Sequence, residues 1–122
     1  MPIRILYVDD EADIREVAAM ALELDRDFEV RTCQSGFEGL GVALSWKPDL
    51  ILLDVMMPEM DGPTTFAKLQ EQADQTPPVI FITARTQAHE VERFKALGAR
   101  GVIAKPFDPM TLAQTVRHHL NG

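Results

Sequence analysis

Five short apolar runs alternate along the chain with longer segments in which apolar residues recur at helical spacing. Each run has the length of a β-strand and is rich in β-branched and aliphatic residues. This alternation predicts an α/β domain with a parallel sheet and helices on both of its faces. The predicted strands are IRILYV (3–8), FEVRTC (28–33), LILLD (50–54), VIFIT (79–83) and GVIA (101–104).

Local signals mark where the predicted helices begin and end. Ser35 followed by Glu38 forms a capping box that opens the second helix. Gly98 stops the fourth helix, and Asp108 with Pro109 opens the fifth through a side-chain cap and a proline at its first position. The first helix carries one apolar stripe, formed by Ile14, Val17, Ala18, Ala21 and Leu22.

The composition of the strands predicts their places in the sheet. The third strand is apolar throughout until it reaches Asp54, which indicates a central position. The second strand carries Glu29 and Arg31 and the fifth is short, so both suit an edge. The helical connections are long enough for the right-handed crossovers that parallel neighbours require.

Length, composition and charge indicate a single cytoplasmic domain. The 122 residues suffice for one core, and we expect one domain over residues 1–122. No apolar run approaches the roughly 18 residues of a membrane-spanning helix, and we expect no signal peptide, because the segment MPIRILYVDDE lacks a charged start and a long apolar stretch. The single cysteine, Cys33, cannot form an internal disulfide, and we expect it to be a small buried hydrophobic residue. The net charge of −7 argues against direct binding of nucleic acid.

Polar residues stand at the ends of four predicted strands. In an open parallel sheet, ligands bind beyond the carboxyl ends of the strands. Two unpaired carboxylates ~5 Å apart repel by about 3 kcal/mol at an effective dielectric constant of ~20, so such a cluster needs protons, a cation or a metal. The residues are Asp9 and Asp10 after the first strand, Asp54 and Thr83 ending the third and fourth, and Lys105 after the fifth.

The types of these residues point to magnesium and phosphate. Oxygen ligands without a nearby histidine or cysteine favour Mg²⁺, which often bridges carboxylates to a phosphate. Lys105 supplies a positive charge for a phosphate and Thr83 a hydroxyl. Asp54 is then the candidate nucleophile, because a carboxylate can attack phosphorus and form an acyl phosphate.

These motifs resemble the receiver domain of bacterial two-component response regulators. The resemblance rests on the acidic pair Asp9–Asp10, the segment D-x-x-M-P-x-M-D-G that begins at Asp54, the hydroxyl of Thr83, and K-P after the fifth strand. It covers essentially the whole chain. It implies a CheY-like, flavodoxin-like (βα)5 fold with strand order 2-1-3-4-5, doubly wound.

The resemblance also implies a role for each matching residue. Asp10 and Asp54 are expected to bind Mg²⁺ together with the backbone carbonyl of Met56, while Asp9 assists through water. Lys105 is expected to pair with the phosphoryl group. Thr83 is expected to move and hydrogen-bond that group.

The same resemblance implies a partner on each side of the reaction. Asp54 is expected to accept a phosphoryl group from a histidine kinase or a histidine phosphotransfer protein. An output partner is expected to bind the surface of the fourth helix, fifth strand and fifth helix. The bond between Lys105 and Pro106 is expected to be cis. We expect a stand-alone receiver, monomeric or weakly dimeric, that contacts neither nucleic acid nor membrane.

One position departs from the family pattern. Val102 stands three residues before Lys105, where the family often has a tyrosine or phenylalanine that rotates inward as the hydroxyl residue moves. A valine has no ring to rotate. We therefore expect switching to rely on backbone shifts from Thr83 to Arg85 and in the fourth helix.

Two other functions fit parts of the pattern. The first is a pseudo-receiver that binds partners without phosphorylation; Val102 favours it, and the complete set of acidic, hydroxyl and lysine residues opposes it. The second is a Mg²⁺-dependent phosphatase with an aspartyl nucleophile. Such enzymes commonly place a second aspartate two residues after the nucleophile, where this chain has Met56. We expect a phosphoacceptor signalling domain and not an enzyme acting on separate substrates.

Overall fold

The computed structural model describes residues 2–121, and in it all five predicted strands have the predicted bounds. The strands are parallel and lie in the order β2-β1-β3-β4-β5, so β3 is central and β2 and β5 are edges. This confirms the predicted α/β fold and its strand order. The strands are β1 (Ile3–Val8), β2 (Phe28–Cys33), β3 (Leu50–Asp54), β4 (Val79–Thr83) and β5 (Gly101–Ala104).

Five helices cover the two faces of the sheet. Leu6, Val8 and Phe81 point to one face and pack with side chains of α2, α3 and α4. Ile5 and Tyr7 point to the other face and pack with α1 and α5. The alternation along β1 follows from the strand period of two residues. The helices are α1 (Ala12–Leu22), α2 (Gly36–Trp46), α3 (Gly62–Gln72), α4 (Ala88–Ala96) and α5 (Leu112–Asn121).

Two of the predicted helix signals are confirmed. The hydroxyl of Ser35 accepts a hydrogen bond of 3.1 Å from the backbone N–H of Glu38, which caps α2. Gly98 follows the end of α4 with a φ of 111°, a conformation that a residue with a side chain rarely adopts.

The predicted start of the last helix is wrong by three residues. The carboxylate of Asp108 accepts a hydrogen bond of 2.9 Å from Met110, and its carbonyl accepts one of 3.1 Å from Thr111. These bonds close a turn around Pro109, and α5 begins only at Leu112. An aspartate before a proline suits such a turn as well as a helix cap.

The predicted stripe on α1 is narrower than expected. Ala18, Ala21 and Leu22 are buried, whereas the side chain of Val17 is 43% exposed. Val17 lies instead in an apolar groove with Pro106 and Phe107. Within residues 2–121, no helix combines the length and the apolar character that crossing a bilayer demands.

Candidate functional site

The parallel register brings the polar strand ends together at one edge of the sheet. Val8 of β1 pairs with Leu53 of β3, and Thr83 of β4 pairs with Ala104 of β5. The carboxyl ends of these strands are therefore aligned, and the residues that follow them lie at the same edge of the sheet. One carboxylate oxygen from each of Asp9, Asp10 and Asp54 lies within 4.8 Å of the others. The predicted clustering of these three acids is therefore correct.

The three carboxylates differ in how far they are buried. Asp9 is fully buried and Asp54 is 3% exposed, whereas Asp10 lies on the surface. Asp54 ends the central strand β3, every residue of which is buried. That strand fixes the position of Asp54, and Asp10 marks the side from which a ligand can enter.

Lys105 is the cation that pairs with the buried acids. Its Nζ lies 3.1 Å from Oδ2 of Asp9 and 3.3 Å from Oδ2 of Asp54. A third contact of 3.2 Å reaches Oε1 of Glu11, a residue for which the sequence analysis predicted no role. Lys105 follows β5, and its peptide bond to Pro106 is cis, as the resemblance implied.

The pKa of Asp54 is raised from 3.8 to about 7. Burial is the largest cause, and the negative charge of Asp9 adds to it, while Lys105 opposes both. Burial lowers the pKa of Lys105, but its hydrogen bond to Asp9 and the charges of both acids outweigh burial, so that pKa is raised. The site thus holds a negative charge that a cation would stabilise.

Asp9 accepts hydrogen bonds from several directions. Its Oδ2 accepts hydrogen bonds from the hydroxyl of Tyr7 at 3.0 Å and from Lys105 at 3.1 Å. Its Oδ1 accepts one of 3.0 Å from the backbone N–H of Glu11, and the guanidinium of Arg15 donates to its carbonyl at 2.8 Å. Tyr7 was not among the residues predicted for the site. The period of the strand could have found it, because Tyr7 and Asp9 share one face.

Thr83 lies beside Asp54 at the end of β4 and is 2% exposed. Its hydroxyl accepts a hydrogen bond of 3.0 Å from the backbone N–H of Arg85, which ties the side chain to the loop that leads into α4. Its position agrees with the prediction that a hydroxyl ends the fourth strand.

The loop after Asp54 forms one wall of a neighbouring cleft. The side chain of Met56 is 68% exposed, whereas Met57 is 8% exposed and packs in the core. Backbone hydrogen bonds of 3.0 Å from Val55 to Ile82 and 2.9 Å from Gly62 to Val55 hold the loop close to β4. The cleft has a volume of about 520 Å³, and Thr83, Arg85, Glu90 and Arg93 line its other side.

The donor set fits a hard divalent cation. The three clustered acids offer only oxygen, and one lysine cannot neutralise three carboxylates. Within residues 2–121, this is the one group of three acidic, histidine or cysteine side chains close enough to share an ion. Asp9, Asp10 and Asp54 could therefore hold such an ion.

Comparison with known proteins identifies the family. The family model for the response regulator receiver domain matches residues 5–117. The chain belongs to this family. Receiver domains are signalling domains of two-component systems, and CheY-like receivers share the fold described above.

Several relatives resemble the chain over nearly its whole length. Response regulator Rre1 of Synechocystis sp. is 37% identical over 120 residues, which are 98% of this chain and 52% of that protein. Transcriptional regulatory protein CseB of Streptomyces avermitilis is 35% identical over 113 residues, 93% of this chain and 47% of that protein. The chain spans about half the length of these curated relatives.

A solved structure shows the same architecture. The chemotaxis response regulator CheY4 of Vibrio cholerae matches with a TM-score of 0.85 and 34% sequence identity, over 98% of this chain and 99% of that one. The identity and the coverage both agree with membership of the receiver family.

Proposed function

We propose that this chain is a phosphoacceptor that takes a phosphoryl group onto Asp54 from a phosphohistidine of a kinase or a phosphotransfer protein. One observation carries the proposal: a nearly buried carboxylate ends the central strand with Asp9, Asp10 and Lys105 around it. An oxygen of Asp54 forms a bond to phosphorus as the bond from phosphorus to the imidazole nitrogen breaks. The electron pair of that bond leaves with the imidazole.

The carboxylates of Asp9, Asp10 and Asp54, with the backbone carbonyl of Met56, would hold Mg²⁺. When bound, Mg²⁺ supplies positive charge to the oxygens of the transferred group. It would also favour the ionised form of Asp54, whose pKa is raised to about 7 by burial and Asp9. Asp10 is exposed and can admit the ion and its waters.

Lys105 and Thr83 complete the proposed acceptor. Lys105 already lies 3.3 Å from Oδ2 of Asp54, so its ammonium group needs to move little to pair with a phosphoryl oxygen. Thr83 is buried beside Asp54 and can turn its hydroxyl toward the same group. The hydrogen bond from the N–H of Arg85 to that hydroxyl must then break or bend.

The hydrogen bond between Thr83 and Arg85 suggests how phosphorylation could change the surface of this chain that binds a partner. Arg85 lies in the loop between β4 and α4, and its backbone N–H is hydrogen-bonded to the hydroxyl of Thr83. Rotation of Thr83 would release the loop and shift α4. Val102 would take no part in this movement, because it has no aromatic ring that could rotate inward with Thr83. An output partner would bind the surface formed by α4, β5 and α5. Hydrogen exchange with and without beryllofluoride tests this: unchanged exchange over residues 84–96 would exclude the route.

Phosphorylation itself is tested by intact mass. The protein is incubated with Mg²⁺ and acetyl phosphate, in parallel with Asp54→Asn and with Asp74→Asn, an exposed aspartate outside the site. We expect the wild type and Asp74→Asn to gain the mass of one phosphoryl group, and Asp54→Asn to gain none. A chelator should abolish the adduct. A wild type that remains unmodified would overturn the proposal.

The same samples separate a signalling domain from an enzyme. A phosphatase would release inorganic phosphate from many phosphomonoesters over repeated turnovers. A receiver forms one adduct per chain and loses it by hydrolysis. We expect no turnover above the rate of Asp54→Asn, and sustained turnover would favour the phosphatase.

A further inference from the structure

Tyr7 places a phenol hydroxyl inside the acidic site. The side chain is wholly buried on the face of the sheet that α1 and α5 cover. Its hydroxyl lies 3.0 Å from Oδ2 of Asp9, two residues further along the chain. Residues two apart on a strand share a face, so the geometry of β1 itself delivers this contact.

The hydrogen bond completes the set of donors around Asp9. Tyr7 and Lys105 both donate to Oδ2, and the backbone N–H of Glu11 donates to Oδ1. Three donors on two oxygens fix the plane of the carboxylate. Oδ1 has one protein donor, so it retains a lone pair for a further ligand. The phenol carries no charge and does not compete with a cation for the site.

Packing holds the phenol in place. The ring of Tyr7 lies edge-on to that of Phe107, with 6.5 Å between centroids and an interplanar angle of 72°. Phe107 follows Lys105 and Pro106 in the loop after β5. Tyr7 therefore contacts Asp9 through its hydroxyl and the lysine-bearing loop through its ring.

We infer that Tyr7 is a positioning residue that orients Asp9 for Mg²⁺ and so sets the affinity of the site for that ion. The inference rests on the proposed function, since it concerns the same acidic cluster. A group that orients a ligand by a hydrogen bond typically contributes 10–100-fold in metal affinity. Tyr7 would act on Mg²⁺ binding and not on the transfer step, because its hydroxyl donates to Asp9 and not to Asp54, the residue that accepts the phosphoryl group.

Tyr7→Phe removes the hydroxyl and keeps the ring. Mg²⁺ affinity is measured by titration calorimetry without any phosphoryl donor. We expect Tyr7→Phe to weaken binding by about 10-fold or more. At saturating Mg²⁺ its rate of adduct formation should return to about that of the wild type, as expected when only binding has been lost.

Thr65→Val is the matched control. It also removes one buried hydroxyl. That hydroxyl donates a hydrogen bond of 2.8 Å to the carbonyl of Asp61, the N-cap residue of α3, and lies outside the acidic cluster. We expect this variant to bind Mg²⁺ as the wild type does. Equal weakening in both variants, or unchanged affinity in Tyr7→Phe, would overturn the inference.

A second readout needs no variant. Tyr7 is the single tyrosine of the chain, so the tyrosine component of the near-ultraviolet difference spectrum on Mg²⁺ binding, resolved from the band of Trp46, reports on this hydrogen bond. Binding of Mg²⁺ neutralises Asp9 and should weaken the hydrogen bond that the phenol donates to it. The tyrosine band should then shift to shorter wavelength. The absence of a shift at saturating Mg²⁺ would overturn the inference even if Tyr7→Phe failed to fold. If the wild type binds no Mg²⁺ and forms no adduct, the proposed function fails instead.

Discussion

The ammonium nitrogen of Lys105 lies 3.3 Å from Oδ2 of Asp54, although 51 residues separate the two in the chain. Their side chains are 15% and 4% exposed, so the pair is largely shielded from water. Charge-assisted hydrogen bonds in such surroundings are stronger than neutral ones, because the local dielectric constant is lower. Lys105 is therefore coupled more strongly to Asp54 than a solvent-exposed lysine would be.

Replacing Lys105 with glutamine should slow adduct formation and tighten the binding of Mg²⁺. A hydrogen bond to a charged group contributes about 1.5–3 kcal/mol, which corresponds to about 10–100-fold in the rate. Mg²⁺ should bind more tightly, because a competing cation beside Asp9 and Asp54 is gone. Stopped-flow phosphorylation and calorimetry measure the two effects.

Lys68→Gln serves as the control, since Lys68 is an exposed lysine on α3. It should change neither quantity. If Lys105→Gln formed the adduct at the wild-type rate, the lysine would have no part in the transfer.

The raised pKa of Asp54 predicts how stability depends on pH in the absence of a metal. The folded protein holds the proton of Asp54 up to about pH 7, whereas the unfolded chain loses it near 3.8. The group therefore stabilises the fold below pH 4, and that contribution is lost as the pH rises to about 7. Asp54→Asn should be the more stable protein at pH 8, by about 2–4 kcal/mol, and the difference should shrink towards pH 5.

Urea unfolding at several pH values, in a chelator, measures this difference. Saturating Mg²⁺ should narrow it at pH 8, because the ion stabilises the ionised wild-type site. A wild type that is equal to Asp54→Asn in stability at pH 8 without metal would contradict the raised pKa of Asp54.

Sequence patterns predicted the strands well because each strand is a short apolar run bounded by polar or turn-forming residues. LILLD and VIFIT are buried on both faces, which is the condition under which an apolar run identifies a central parallel strand. The acidic cluster was also predictable. Its members stand at strand ends, and a parallel sheet brings those ends to one edge.

Contacts that depend on tertiary structure were not predictable in the same way. Arg117 on α5 donates to Asp25 at 2.8 Å and to Asp27 at 2.9 Å, and its guanidinium lies 5.3 Å from the ring centre of Phe28. Burial raises the pKa of Asp25, but the hydrogen bonds from Arg117 and from the backbone N–H of Asp27, together with the charge of Arg117, outweigh burial, so the pKa is lowered. No local signal links residues about ninety positions apart. The predicted start of α5 was wrong for a different reason: Asp108 before Pro109 is compatible both with a turn and with a helix cap.

Cys33 should be nearly inert towards thiol reagents in the folded protein. It is 2% exposed, and burial together with the nearby charge of Glu38 raises the pKa of its thiol to about 12. Because the thiolate is the reactive form, iodoacetamide at pH 8 should label the native protein on the order of 100-fold more slowly than the chain in urea. Mass spectrometry over time measures both rates. Equal rates would show that the end of β2 opens readily.

Two glycines of the chain should respond in opposite ways to alanine. A side chain at Gly62 would overlap the carbonyl oxygen of Asp54 and lie 3.0 Å from the Cα of Val55, both of which are backbone atoms that cannot move cheaply. Gly62→Ala should therefore cost about 1–3 kcal/mol of stability and slow adduct formation by displacing Asp54. Gly41 lies in α2 with open space around it, so Gly41→Ala should add about 1 kcal/mol through helix propensity. Urea unfolding of both variants decides the matter: a Gly62→Ala protein as stable as Gly41→Ala would mean that the loop behind Asp54 adjusts without strain.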